Sequence, residues 1–310
     1  MNTQHTTASS GLYLQLVLVS VIWGGTFIAG RILAGSTSPL WIASFRFLIA
    51  SIVLLLALVV TRTRLAPINF KQGLQLCLLG FFGIFMYNLC FFYGLSYINA
   101  SRAALIVSLT PAAIALFSYF LFKEKLSFYK QGGIALCVLG AAIVVISKDH
   151  SLLTPMQYTW KGDLLLIGCV GSWSVYSVSS RTLSHAIGPM QTVTYSILFG
   201  TIMLCLAAWI QSDIPLSALH HIHASQVISL FYLGALGSAL AYIWYYDAIK
   251  KIGATRSGVF IALNPLTAVL LGYFFLGEHI NHMMGIGGML ILSGILLNNW
   301  PSQHIMARRS

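Results

Sequence analysis

Ile98–Glu124 reads INASRAALIVSLTPAAIALFSYFLFKE, and Ile252–Glu278 reads IGATRSGVFIALNPLTAVLLGYFFLGE. These are one pattern written twice. At a constant offset of 154, Ile98 aligns with Ile252 and Arg102 with Arg256. The same offset aligns Leu109-Thr110-Pro111 with Leu263-Asn264-Pro265, Tyr119-Phe120 with Tyr273-Phe274, and Glu124 with Glu278. Further out, Gly80 and Gly83 match Gly234 and Gly237, and Gly140 matches Gly294. Nearer the start of each half the offset is 150: Trp23 pairs with Trp173, Arg31 with Arg181, Pro39 with Pro189. The change falls in the loop around Pro215.

Charged residues make up only 7% of the chain and hydrophobic residues 58%, with a mean hydropathy of +0.84. A soluble domain carries about 25% charge, so the composition is that of an integral membrane protein. Ten apolar stretches of roughly 18–24 residues are each long enough to cross about 30 Å of hydrocarbon. They run near 12–34, 40–60, 74–96, 101–122, 128–147, 162–181, 189–210, 226–249, 254–276 and 282–299. The expected fold is therefore all-α, ten transmembrane helices as two five-helix repeats over 12–147 and 162–299. A connecting loop covers 148–161, with short tails at 1–11 and 300–310. A β-barrel is excluded, because runs such as Leu48 to Val60 do not alternate apolar and polar residues. An odd number of spans per repeat inverts the second copy in the membrane, and inverted repeats mark alternating-access carriers. A duplicated structural unit with no transport role is the plain alternative.

The basic residues set an orientation. With the amino terminus in the cytoplasm, twelve Lys and Arg fall on inner loops and the tail. Only Arg31, Arg102, Lys148 and Lys161 fall outside. That asymmetry places both termini inside and accounts for the net charge of +11 without a nucleic-acid partner. The five cysteines all lie within spans, without metal-type spacing, and read as small hydrophobes. Met1 to Ser10 carries no Lys or Arg, so the first span reads as a retained helix and not a cleaved signal.

Several residues are candidates for a binding site. Pro111 and Pro265 lie near the middle of spans four and nine and free the carbonyls of Val107 and Ile261. Paired broken helices at mid-membrane depth point to a substrate site, and packing kinks are the alternative. Thr110 and Asn264 add polar groups at the same depth. Trp23 and Thr26 in span one, Tyr87 and Asn88 in span three, and Trp173, Tyr176 and Ser177 in span six suit a mostly apolar cavity with polar anchors. Tyr242 in span eight joins them. Any of these rings also suits helix packing, and Tyr245 and Tyr246 suit an interfacial aromatic belt. Fixed charge within spans is scarce. Arg46, about two turns into span two, has a stem long enough to snorkel outward, with a substrate or charge-coupling role as the alternative. Asp247 has Lys251 at i+4, an ordinary helix ion pair, and is otherwise the candidate proton carrier. Glu124 and Glu278 read as helix-end or loop contacts. His220, His221 and His223 form a polar loop without a full metal-ligand set. Walker motifs, nucleophile elbows and paired catalytic carboxylates are absent, so ATP-driven transport and enzymatic chemistry find no support.

Ile22-Trp23-Gly24-Gly25-Thr26-Phe27, Pro39 with Arg46-Phe47, and the segments from Ala100-Ser101-Arg102 and Ala254-Thr255-Arg256 to their prolines and glutamates resemble the drug/metabolite transporter superfamily, EamA type. The Gly132-Gly133 to Gly140 and Gly285 to Gly294 spacings agree. One departure is Lys123, where the second copy has Gly277. The resemblance runs from about residue 12 to 299. It implies a ten-helix carrier in a bacterial-type inner membrane, with a cavity lined by spans one, three, four, six, eight and nine. It also implies movement of small metabolites, often export of amino acids or their relatives, with no cofactor. Uptake of a metabolite or sugar derivative is the transport alternative, and a lipid-handling scaffold the alternative of another class. The expected partners are a small-molecule substrate and the lipid bilayer, with a homodimer left open.

Overall fold

The structure is a computed structural model. It describes residues 10–34, 38–63, 65, 67–122, 127–146, 159–211, 223–252, 260 and 263–298, and among these it is helical with no strand. Helix α1 spans Ser10–Leu33 and α2 Pro39–Val60. Helix α3 (Phe70–Gly80) continues through a π-helical segment, Phe81–Met86, into α4 (Tyr87–Tyr97). Next come α5 (Ala100–Val107), α6 (Thr110–Phe122) and α7 (Phe128–Ile146). The second half holds α8 (Thr159–Ile187) and α9 (Pro189–Ile210). Helix α10 (Ala224–Phe231) runs through a second π segment, Tyr232–Leu240, into α11 (Ala241–Ile252). The chain closes with α12 (Asn264–Leu276) and α13 (His282–Asn298).

Polar residues in the connections set the helix starts. Asn69 Oδ1 accepts from Gln72 N at 2.9 Å while Gln72 Oε1 accepts from Asn69 N at 3.0 Å, a reciprocal cap that opens α3. Asn99 does the same work alone for α5, accepting from Arg102 N at 2.9 Å. Helix α12 ends on Gly277 at φ 64°, a left-handed position that a residue without a Cβ adopts freely.

Among the described residues, six helical segments are long and apolar enough to cross a membrane: Gly11–Leu33, Pro39–Val60, Phe70–Tyr97, Ala100–Phe117, Met190–Ile210 and Ala224–Tyr245. Phe128–Val144, Asn264–Leu276 and His282–Leu297 are shorter apolar helices. Helix α8 is long but carries Lys161, Asp163 and several serines. Ten full-length apolar spans were expected, and six meet that standard. Large side chains such as Val60, Phe120, Trp209, Phe274, Phe275 and Met289 are at least two-thirds exposed. So much exposed apolar surface suits hydrocarbon and not water.

Close contacts recur between the halves at the sequence offsets. A Cβ added at Gly80 would lie 2.8 Å from the backbone of Ser196 and Gly200 in α9. One at Gly234 would lie 2.8 Å from the Arg46 carbonyl in α2. Ser196 is the repeat counterpart of Arg46, so this is one crossing made twice. Gly83 receives the ring of Tyr176, and Gly237 receives the methyl of Thr26, again counterparts. Helices α7 and α13 approach backbone to backbone: a Cβ at Gly140 would meet Gly287 O at 2.5 Å, and one at Gly294 would meet Gly133 O at 2.6 Å. Small residues at such crossings let helices touch closely in lipid.

The break between α5 and α6 falls at Ser108 and Leu109, just before Pro111. The Val107 carbonyl, expected to face protein, water or substrate, accepts the hydroxyl of Thr110 within its own turn. Ile261, its counterpart, lies outside the described residues. Pro265 sits at the start of α12, where a missing N–H costs nothing.

Candidate functional site

Four segments send aromatic rings to one place. Trp23 of α1 meets Tyr242 and Tyr245 of α11, with ring centroids 5.8 and 5.2 Å apart. Trp173 of α8 meets Tyr87 of α4 at 5.1 Å, Tyr176 at 5.2 Å and Tyr242 at 6.3 Å. Tyr242 thus links the two repeat-related tryptophans. Trp23, Tyr87 and Trp173 stay half-buried though their rings meet from different helices.

Bond by bond, the backbone holds these rings. Trp23 Nε1 donates to Gly237 O at 3.0 Å, a carbonyl of the second π segment. A π turn widens the i→i+4 ladder and leaves carbonyls open to outside donors. Tyr232, in the same segment, donates to Ile22 O at 2.8 Å. Thr26 turns its hydroxyl back to Trp23 O at 2.6 Å and packs its methyl at Gly237. It supports the cluster and offers no free polar group.

Beside the rings lies a buried cation. Arg46 is 6% exposed. Its Nε donates to Ser238 Oγ at 2.8 Å and its Nη1 to Asn88 Oδ1 at 3.2 Å. The guanidinium lies 5.2 Å from the Phe47 ring and 5.9 Å from the Phe92 ring. Asn88 Nδ2 donates to Ile84 O at 2.8 Å, which fixes its oxygen toward Arg46. The snorkelling expected for Arg46 is therefore wrong. The stem is long enough to reach the surface, but acceptors on α4 and the second π segment draw the head inward. Ser238 had not been singled out, and its apolar counterpart Ile84 gave no hint of it.

The other sequence candidates are arranged differently. Tyr176 is buried against Gly83 behind Trp173. Ser177 is half-buried, and its carbonyl accepts from Ser180 at 3.1 Å. Thr110 and Pro111 are half-buried at the α5–α6 break, with the Thr110 hydroxyl turned to its own helix. Asn264, at the start of α12, has a shielded Oδ1 with no hydrogen-bond partner among the described residues. Pro265 beside it is buried. No hydrogen bond joins Thr110 or Asn264 to the ring cluster. Tyr245, which suits an interfacial belt as well as a cavity, belongs to the cluster. Asp247 is half-buried in α11; the side chains of Tyr246, Lys250 and Lys251 lie outside the described residues, as do Glu124, His220 and His221. An open apolar cleft of about 670 Å³ is lined by Leu40, Leu89, Tyr93, Leu165 and Ala207 among others, and by none of Trp23, Tyr87, Trp173 and Tyr242.

Where α5 and α8 begin, the bundle is tied by an ion pair that the sequence reading missed and by a helix-end carboxylate that it anticipated. Arg102, expected in a loop, is 2% exposed. Its Nε and Nη2 donate to Asp163 Oδ1 and Oδ2 at 2.8 and 2.7 Å, a two-pronged pair across the halves. Glu278 accepts from Ala100 N at 2.8 Å and Ser101 N at 2.9 Å. A carboxylate there satisfies the orphan donors of the α5 amino terminus, so Glu278 is a helix-end contact between the repeats.

Residues 11–146 and 160–300 each match the EamA-like transporter family. An uncharacterised transporter of Bacillus subtilis, YyaM, is 27% identical over 285 residues, covering 92% of each chain. An uncharacterised transporter of Archaeoglobus fulgidus is 27% identical over 297 residues, 96% of this chain and 99% of its own. A chloroplastic WAT1-related protein of Arabidopsis thaliana is 24% identical over 299 residues, 95% of this chain and 72% of its own. One crystal structure shares the fold, with a TM-score of 0.65 at 21% identity over 94% of this chain and 96% of that one.

Proposed function

This chain belongs to the EamA-like transporter family, and from that premise we propose that it exports small organic metabolites, amino acids or their relatives, by alternating access. Ten spans in two inverted five-helix halves rock about a shared site in the cell's inner (plasma) membrane, with both termini in the cytoplasm. The observation that carries this reading is the ring cluster of Trp23, Tyr87, Trp173 and Tyr242, drawn from both halves and set beside the Arg46–Asn88–Ser238 group. A packed scaffold has no use for half-buried tryptophans on facing repeats or for a buried guanidinium. The recurring glycine contacts support a two-fold relation between the halves.

The test is a metabolite panel on cells overproducing the protein, with intracellular and medium pools measured. Export raises one chemical class in the medium while lowering it inside. Accumulation inside identifies an uptake carrier, and unchanged pools across the panel sink the transport reading.

A further inference from the structure

We propose that Arg46 is the anchor for a carboxylate on the transported molecule, whose apolar body then lies against the Trp23–Tyr87–Trp173–Tyr242 rings. This rests on the transport reading and narrows its substrate class to organic acids and zwitterions that carry a free carboxylate.

The argument begins with an imbalance. A guanidinium stays protonated in a protein and offers five N–H donors in a planar fork. Arg46 uses Nε on Ser238 and Nη1 on Asn88, both neutral, and among the described residues Nη2 has no hydrogen-bond acceptor. Buried charge is stable when it is paired, and this protein does pair its other deeply buried arginine. Arg102 holds Asp163 with two prongs of its fork.

No carboxylate of the described residues does the same for Arg46. The chain has six acidic residues. Asp163 is engaged by Arg102 and Glu278 by the start of α5. Asp247 lies in α11, and among the described residues no hydrogen bond or ion pair joins it to Arg46. Glu124, Asp149 and Asp213 fall between the apolar stretches of the sequence. A cation held by neutral acceptors, with an unused edge, matches a carboxylate brought by a ligand.

The fold does not need this cation. The equivalent crossing in the second repeat is built on Ser196, whose hydroxyl bonds to Thr192 O in its own helix at 2.6 Å. Asn88 and Ser238 correspond to Tyr242 and Ile84 at the repeat offset. The polar group is thus confined to one of two equivalent crossings, although aromatic rings adjoin both.

Two measurements test this. In the first, purified protein in lipid nanodiscs is titrated with phenylacetate and with phenylacetamide, read by intrinsic tryptophan fluorescence. An ionic hydrogen-bonded contact predicts a preference for the acid of about ten- to hundred-fold. Arg46→Gln erases the preference and Arg46→Lys keeps part of it, because lysine supplies charge without the fork. Equal affinity of acid and amide for the unsubstituted protein overturns the proposal whatever the variants do. So does a folded Arg46→Gln protein that still prefers the acid.

In the second, the compounds moved in the metabolite panel are sorted by chemistry. A set sharing a free carboxylate, and lost in Arg46→Gln at normal membrane levels, agrees. A set of neutral or cationic compounds leaves transport standing and removes Arg46 as the anchor.

Discussion

Arg102 and Arg46 are both buried, and the protein treats them in opposite ways. Arg102 lies where α5 and α8 begin and is neutralised inside the fold by Asp163 at 2.7 Å. Arg46 lies deeper, in α2, and its partners are a hydroxyl, an amide and two rings. The difference separates two tasks. A guanidinium that holds helices together brings its own carboxylate from the other half. One left among neutral groups is a poor structural element, because its desolvation is not offset within the protein. Symmetry sharpens the point. Arg102 has Arg256 as its counterpart, while Asp163 corresponds to Tyr13 at the offset of 150, so the ion pair too is specific to one side of the repeat.

The strongest challenge to this contrast is Asp163→Leu. Removing one member of a buried pair strands the other, at a cost of about 3–5 kcal/mol. The detergent-solubilised protein should melt far lower, and Arg102→Met together with Asp163→Leu should recover most of the loss. An unchanged melting temperature in the single variant would mean that Arg102 is not held as described.

Next are Gly80→Ala and Gly234→Ala. At both crossings the added methyl meets backbone at 2.8 Å, and overpacking of this kind costs about 1–3 kcal/mol. The two should fall together in thermal unfolding, with Gly285→Ala as the neutral control, since nothing lies within 4 Å of it. A harmless Gly234→Ala beside a damaging Gly80→Ala would show that the crossing under Arg46 is looser than its counterpart.

Asn264→Leu extends the contrast to an acceptor without a partner. Its loss should leave stability intact and lower transport in proteoliposomes by about one to two decades, the cost of an unmatched polar group of about 1–3 kcal/mol. Full activity would take Asn264 out of the site. The smallest expected change is in the stability of Arg46→Met. Replacing an internally unpaired charge with an apolar side chain is neutral or mildly stabilising, within about 1 kcal/mol. A fall like that of Asp163→Leu would make Arg46 a structural residue after all.

How much of this could be read from the sequence depends on whether the signal lay along the chain or across it. The repeat, the helical class and the aromatic residues were legible because offsets, hydropathy and residue type are properties of the linear string. Arg46 was misjudged because stem length and distance to the helix end are linear, whereas Asn88 and Ser238 reach it from other helices. Asp163 was passed over although an acid inside the sixth apolar stretch, with Tyr13 as its counterpart, was a visible anomaly. Thr110 was read as a polar group for the site, yet its hydroxyl closes the carbonyl that Pro111 frees, a local bond that its neighbouring position already allowed. The π segments left only Gly80, Gly83, Gly234 and Gly237 as traces, which read equally well as packing glycines.

Those π segments also form a pair. Each is a stretch where the helix accommodates one more residue per turn than its neighbours without breaking the rod. They occupy Phe81–Met86 in one half and Tyr232–Leu240 in the other, and the offset of 154 carries the first onto the second. The two repeats thus share the place of the widened turn, and in the second the Gly237 carbonyl of that turn receives Trp23 from the other half.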